Sequence, residues 1–421
     1  MSDLPNLSRA KWLRAPSLQR VFGIIAEAGG EARVAGGAVL DAILKVPVTE
    51  VDLATTLPPE RVIEIFTAAG LKAHPTGIEH GTVTVVIDHQ PYEVTTLRHD
   101  VETDGRRAKV KFTSDWQADA LRRDFTVNAL YCDARGKIYD FTDGYRDVLR
   151  SRIIFVGSPA KRIAEDYLRI LRFFRFHARF GKGAPDKAGL AACVRHRKGL
   201  DTLSAERIRQ EMFKLLAAPG AVPGLKLMAK TGILKHLLPY TEDWRVIGRL
   251  PPDPLLRLAV LSAEPQAMKE RWRISNTGAK RLDAISSLTT PSPSLRPGER
   301  RIVLYQVGAD TWRDLVHIGW ARSKASLDDP AWKRLLKLPD RWTVPNLPVA
   351  GRDLLAAGLA PGPEIGAALR QLEDWWLAAD FKPGKDDLLK RLGQETHDGR
   401  YSGDEDQGQD RAGAAEGQGG S

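Results

Sequence analysis

Apolar and polar positions along the chain repeat at two periods, and the change of period divides it. Leu18, Val21, Phe22 and Ile25 recur at helical spacing, and Gly29-Gly30 stops that helix. A short apolar run at 33–35 ends in Gly36-Gly37, and a helical pattern over 38–45 starts at once. Strands are predicted over 50–55, 71–74, 82–87, 92–97 and 138–141, with a helix over 60–69 between Pro58-Pro59 and Gly70. The stretch 98–112 is polar and without a period, so it reads as a mobile loop. From Ser158-Pro159 onward the period is helical: one long helix over 162–176, then helices over 205–244, 255–261, 279–288, 298–307 and 312–321. Proline-rich breaks fall at 251–252 and 291–297. A last helical module spans 351–392, with Leu354, Leu355, Leu369, Leu372, Trp375 and Trp376 as core positions.

The predicted fold class is therefore α+β. A head of mixed sheet and helices occupies 1–150, and an all-α region follows, divided into 151–245, 246–345 and 346–393. After about Gln394, sequence rich in Gly, Gln, Asp and Glu has little to bury and is expected to be disordered over 394–421.

Composition narrows the class of partner. The chain has 421 residues, 43% hydrophobic and 28% charged, within the range of soluble globular proteins. A formal net charge of +10 favours a polyanionic partner without specifying its sequence. Cys132 and Cys193 form neither a disulfide framework nor a zinc pattern and suit a reducing cytoplasm. Met1 to Arg14 lacks an apolar signal core, and no apolar run approaches the roughly 18 residues of a membrane span. A cytoplasmic location without membrane contact is expected.

Four groups of residues suggest chemistry. Gly36 and Gly37 lie between an apolar run and a helix, where backbone can approach an anion closely, although a Gly-Gly by itself is an ordinary turn. Glu50 and Asp52 are two apart; on a strand both carboxylates would share a face and repel unless a hard cation such as Mg²⁺ lay between them. Glu93, in a β-rich run, is a third candidate carboxylate for the same metal site. Arg122, Arg123, Asp124 and Asn128 combine guanidinium groups suited to phosphate with an acid and an amide suited to ribose hydroxyls. Asp166, Arg169, Arg172 and Arg175 recur every three residues and would form a charged stripe along a helix. An acid with an arginine one turn on can read a base edge. The carboxylate accepts from an exocyclic amine and the guanidinium donates to a neighbouring acceptor, which suits C and A and rejects G and U. The plainer alternative is a solvated, salt-bridged face.

With these motifs in place, the chain resembles the bacterial class II tRNA nucleotidyltransferases, the CCA-adding enzymes and bacterial poly(A) polymerases. The resemblance is detailed from Arg33 to Gly181 and returns at 203–211, 349–355 and 362–366. It implies a nucleotidyltransferase head followed by helical neck, body and RNA-binding tail. It implies addition of C, C and A to the tRNA 3′ end from CTP and ATP, with Mg²⁺ as cofactor and the tRNA acceptor arm as partner. Glu50 and Asp52 match the metal-binding carboxylates, Gly37 a residue close to the phosphates, Arg123 a nucleotide ligand, and Asp166, Arg169, Arg172 and Arg175 the set that templates the incoming nucleotide. The segment 98–109 resembles the loop used in switching from C to A. Poly(A) synthesis, addition of only CC or only A, and a catalytically weak RNA-binding protein are the rival readings. Two departures stand out: Glu50 replaces the family's Asp, and Leu40 replaces an Arg in Gly-Gly-x-Val-Arg-Asp, which implies loss of a phosphate-binding cation. Arg123, Arg172, Lys109 or the helix N-terminus could offset that loss.

Overall fold

A computed structural model describes the backbone of residues 4–104 and 107–397, with side chains at all of these except 100–104, 107–110 and 395–397. The tail expected to be disordered lies, from 398 on, outside the described residues, as does the side chain of Lys109. The chain forms two compact units that divide between Leu288 and Thr289.

The first unit begins with α1 (Pro16–Glu27), β1 (Ala32–Ala35), α2 (Gly37–Ile43), β2 (Asp52–Thr55) and α3 (Pro59–Ala68). Strands β3 (Lys72–Gly77), β4 (Thr82–Ile87), β5 (Gln90–Thr96), β6 (Arg98–Asp104) and β7 (Arg107–Phe112) follow. The head closes with α4 (Trp116–Arg122), β8 (Leu130–Cys132), β9 (Ile138–Asp140) and α5 (Gly144–Leu149). Beyond it lie α6 (Pro159–Glu165), α7 (Leu168–Phe180), α8 (Lys187–Arg195) and α9 (Ala205–Leu216), then five further helices ending at Ser287.

Seven strands make one sheet in the order β3-β4-β5-β2-β1-β8-β9, with β2 and β5 parallel and the other pairs antiparallel. On β4, Val83, Val85 and Ile87 are fully buried while Thr82, Thr84 and Val86 are half-buried, the period-two signature of a sheet with one packed face.

Three expectations change. Strand pairing begins at Asp52, opposite Glu93, so Glu50 precedes β2 instead of starting it, although both carboxylates line one cavity. The stretch read as a loop is the hairpin β6–β7, paired from Arg98↔Phe112 to Asp104↔Arg107 as a separate two-stranded sheet. Its polar composition leaves no period-two apolar signal. The long helix predicted over 162–176 is two helices. Asp166 is extended (φ −158°, ψ 108°), and its carboxylate accepts from the Leu168 N–H at 3.0 Å, starting a new helix.

Helix α7 is fixed from below by aromatic packing. Phe173 and Phe176 meet Phe125, with ring centroids 6.3 and 5.3 Å away, and Phe173 stacks on Phe155 at 5.5 Å. Phe125, Phe173 and Phe174 are fully buried. This packing anchors α7 to the head. Helix α9 packs along α7. No helix among the described residues is long and apolar enough to cross a membrane.

The second unit is helical. Pro297–Arg322 joins the two helices predicted there, with a non-helical residue at Gly308 (φ 77°). One core gathers Trp312, Val316, Trp320 and Trp332, and another gathers Leu354, Leu372, Trp376 and Leu388. Leu355, expected in the core, is 43% exposed, because its neighbour Leu354 takes the inward position. The last helix runs from Lys385 to His397.

Candidate functional site

Within the first unit, a cavity of about 780 Å³ opens between the head sheet and helices α7 and α9. All of the candidate catalytic, metal and nucleotide-binding residues named from the sequence line it. Gly36, Gly37, Glu50, Asp52 and Glu93 come from the sheet side, Arg123, Asp124 and Asn128 from the segment after α4, and Asp166, Arg169, Arg172 and Arg175 from α7 and its start.

Gly36 has φ 67° and ψ −116°, and a Cβ there would lie 2.7 Å from Asn128 Oδ1. Only glycine fits that backbone and that contact. A Cβ on Gly37, the next residue, would meet nothing within 4 Å. The two glycines thus divide the work: one lets the chain turn against Asn128, and the other leaves room beside the cavity.

Asp52 and Glu93 stand in register on the parallel strands β2 and β5, and Glu50 lies two residues before Asp52. Solvent reaches Asp52 through the cavity, yet protein surrounds it on the other sides. Burial, followed by the charges of Glu93 and Glu50, raises its carboxyl to about 6, while Arg123 and Lys214 act to lower it. Clustered carboxylates under mutual repulsion suit a divalent cation with oxygen ligands. Among the described residues no three potential ligands gather closely enough to enclose a metal. Mg²⁺ takes one or two carboxylates and completes its coordination with waters and substrate phosphates, and Asp52, opposite Glu93 on the adjacent strand, offers such a carboxylate at the cavity wall.

The cavity arginines are held by partners. Asp119, 1% exposed, accepts from Arg122 Nε at 2.8 Å, Arg123 Nη2 at 3.1 Å and the Tyr131 hydroxyl at 2.6 Å. Burial acts to raise the Asp119 carboxyl, but Arg123 and Arg122 prevail and hold it down at about 2. Asp124 pairs with Arg172 and accepts from Asn128 Nδ2 at 3.0 Å. Arg175 is buried against Glu211 of α9. Arg207, also on α9, holds Asp166 at 2.7 Å. Arg169 pairs with Glu165 and donates to the Arg162 carbonyl at 2.9 Å. Arg162 in turn donates to the Arg122 carbonyl at 3.1 Å, which links α6 to the head. Asp166 and Arg169 are therefore each oriented by a different neighbour.

Leu40 proves to be a core residue. It is 1% exposed and does not line the cavity, so its side chain occupies no place on the phosphate wall. Its neighbour Asp41 accepts from Arg179 at 2.9 and 3.0 Å, and Arg179 does line the cavity. As expected from the sequence, α2 thus brings no cation to the cavity wall at Leu40, and Arg179 of α7, paired with the neighbouring Asp41, places one beside it.

Sequence reading missed Asp119, Glu211, Arg179 and Lys214. The i,i+3 and i,i+4 spacing of Asp119 to Arg122 and Arg123 was available as a signal. The others act across 36 residues or more, or line the wall without a local motif.

The poly A polymerase head domain family matches residues 32–154, and the family described as the probable RNA and SrmB-binding site of polymerase A matches 184–245. The mitochondrial CCA tRNA nucleotidyltransferase 1 of Mus musculus is 35% identical over 410 residues, covering 90% of this chain and 92% of its own. The CCA-adding enzyme of Limosilactobacillus fermentum is 32% identical, covering 89% and 95%. Among solved structures, the Bacillus stearothermophilus CCA-adding enzyme in complex with CTP superposes with TM-score 0.76 at 29% identity, covering 91% of this chain and 98% of that one. The Thermotoga maritima CCA-adding enzyme complexed with tRNA, at 18% identity and TM-score 0.59 over 94% of this chain and all of that one, shares the fold.

Proposed function

The chain belongs to the family of CCA tRNA nucleotidyltransferases and related poly(A) polymerases and adds C, C and A to tRNA 3′ ends from CTP and ATP; from that premise we propose that this one cavity between the head sheet and helices α7 and α9 carries every addition. One observation supports this reading above the rest. The carboxylates Glu50 and Asp52 and the Gly36-Gly37 turn line the same cavity as Asp166 and Arg169. Groups suited to phosphate chemistry and groups suited to a base edge therefore face one space.

In this reading Asp166 accepts from the exocyclic amine of C or A, and Arg169 donates to the adjacent ring acceptor. The Arg207 and Glu165 partners fix the two side chains before the base arrives. Guanine and uracil present a carbonyl where the amine should be, and that oxygen would face the Asp166 carboxylate. Arg123 and Arg172 provide cations for the phosphates, and the Gly37 backbone leaves them room. Glu50 and Asp52 would hold Mg²⁺, with Glu93 beside Asp52 on the adjacent strand. When bound, Mg²⁺ supplies charge neutralisation on the phosphates and a more acidic 3′-hydroxyl. Asp52 and Glu50 also keep a negatively charged wall where the 3′-hydroxyl must lose its proton.

Four forms of one tRNA test the proposal: lacking CCA, ending after one C, ending after CC, and complete. Each is incubated in Mg²⁺ with CTP, ATP or both, and the products are sized. Every incomplete end should grow to CCA and stop, and the complete end should not grow. Long A tails would replace this reading with poly(A) synthesis, and growth of only some ends would make it a partial enzyme.

A further inference from the structure

Eight cations line the cavity: Arg122, Arg123, Arg169, Arg172, Arg175, Arg179, Arg207 and Lys214. Every arginine among them has a carboxylate partner. Arg122 and Arg123 share Asp119, while Arg169, Arg172, Arg175, Arg179 and Arg207 take Glu165, Asp124, Glu211, Asp41 and Asp166. Lys214 differs. Among the described residues it is the one cavity cation with no carboxylate within ion-pair distance, and its side chain is exposed to the cavity.

Its place on α9 gives that difference a meaning. Arg207, Glu211 and Lys214 are spaced four and three apart, so they fall on one face of the helix. Arg207 grips Asp166 at the base-reading end, and Glu211 grips Arg175 farther along. Lys214 comes last, two residues before the end of α9, on the lining of the cavity that Asp52 also lines. The rise from Arg207 to Lys214 is about 10 Å along the helix axis. A nucleotide whose base lies against Asp166 would run along this face with its phosphates towards Lys214. An ammonium is a compact point charge with three rotatable donors, suited to a terminal phosphate whose oxygens present no fixed fork.

We propose that Lys214 binds the β- and γ-phosphates of the incoming CTP or ATP, and the pyrophosphate that leaves. This rests on the reading of the cavity given above and adds to it a phosphate ligand that carries none of the base selection. Because Lys214 has no carboxylate partner among the described residues, it can form this contact without first breaking one of their ion pairs.

The test uses the full-length protein and the variants Lys214→Met and Lys214→Arg, with thermal melting as a check on folding. Nucleotide binding is measured without tRNA in Mg²⁺ by competition with CTP, CMP and inorganic pyrophosphate. Lys214→Met should weaken CTP and pyrophosphate by about tenfold, the loss of one charge-assisted contact. It should leave CMP within about twofold, and Lys214→Arg should recover most of the loss. Equal weakening of CMP and CTP would overturn the proposal in favour of a general disturbance of the cavity. Unchanged CTP and pyrophosphate with a raised KM for tRNA would overturn it in favour of a contact to the primer backbone. Wild-type protein that binds no CTP would overturn the reading of the cavity itself, together with this proposal.

Discussion

Asp119 shows how one buried carboxylate organises several exposed functions. It takes hydrogen bonds from Arg122, Arg123 and Tyr131, and its Oδ1 lies 3.3 Å from the Arg98 N–H at the base of the β6–β7 hairpin. Asp119→Ala would leave those donors without their acceptor in a buried site and should cost about 3 kcal/mol, read from urea unfolding. The pH dependence follows from the direction of the shift. The folded carboxyl is held at about 2, below its ordinary 3.8. Its contribution is therefore complete above about pH 4 and is lost as pH falls towards 2, amounting to about 2 kcal/mol. Asp119→Asn should flatten that part of the acid-unfolding curve, and a curve identical to wild type would remove Asp119 from the account. At the chemical centre, Asp52→Asn should slow nucleotide transfer on the order of 10²–10³-fold or more while tRNA affinity, measured by filter binding, stays within about twofold. Glycines, paired acids and the Arg-Arg-Asp run were legible as residues because each motif is local. Their partners were not, since the Arg175–Glu211 and Arg179–Asp41 pairs close over 36 and 138 positions.

At the scale of elements, β6–β7 is the segment whose removal should separate the two chemistries. Its base is fixed where the Thr113 N–H meets the Leu97 carbonyl at 2.9 Å, while the hairpin stands apart from the seven-stranded sheet. Shortening it by four residues around the turn should leave C addition intact and reduce A addition by tenfold or more in single-turnover assays, in keeping with the role its resemblance implies; equal loss of both would assign it to folding. The turn into α2 makes a second case. Gly36→Ala places a Cβ 2.7 Å from Asn128 Oδ1 on a positive-φ backbone and should cost roughly 1–3 kcal/mol, with weaker CTP binding as Asn128 shifts. Sequence periodicity located most helices and strands but misread two elements. The hairpin escaped because polar residues on both faces erase alternation. The helix break escaped because a single carboxylate, that of Asp166, takes the Leu168 N–H and interrupts an otherwise helical pattern over 162–176.

At the scale of the molecule, the head and helical regions were legible from the change in hydrophobic period, and the division between Leu288 and Thr289 falls just before the proline-rich break at 291–297, which composition marked without showing that it separates two compact units. The net charge of +10 implies that tRNA binding is largely a matter of phosphate neutralisation. Affinity should fall by roughly tenfold for each doubling of salt if about four or five phosphates are engaged, and a salt-independent affinity would contradict that. A last consequence concerns heat and disorder. Seven arginines of the cavity are already fastened to carboxylates. Each such side chain carries about 2 kcal/mol of rotamer freedom, and that freedom is given up when the chain folds, before any nucleotide enters. CTP and ATP therefore meet the same stiff enclosure and incur nearly the same ordering cost on arrival. Calorimetric titrations of the two should differ in enthalpy far more than in entropy, and the order of C, C and A would then be decided by what the growing tRNA end offers each base.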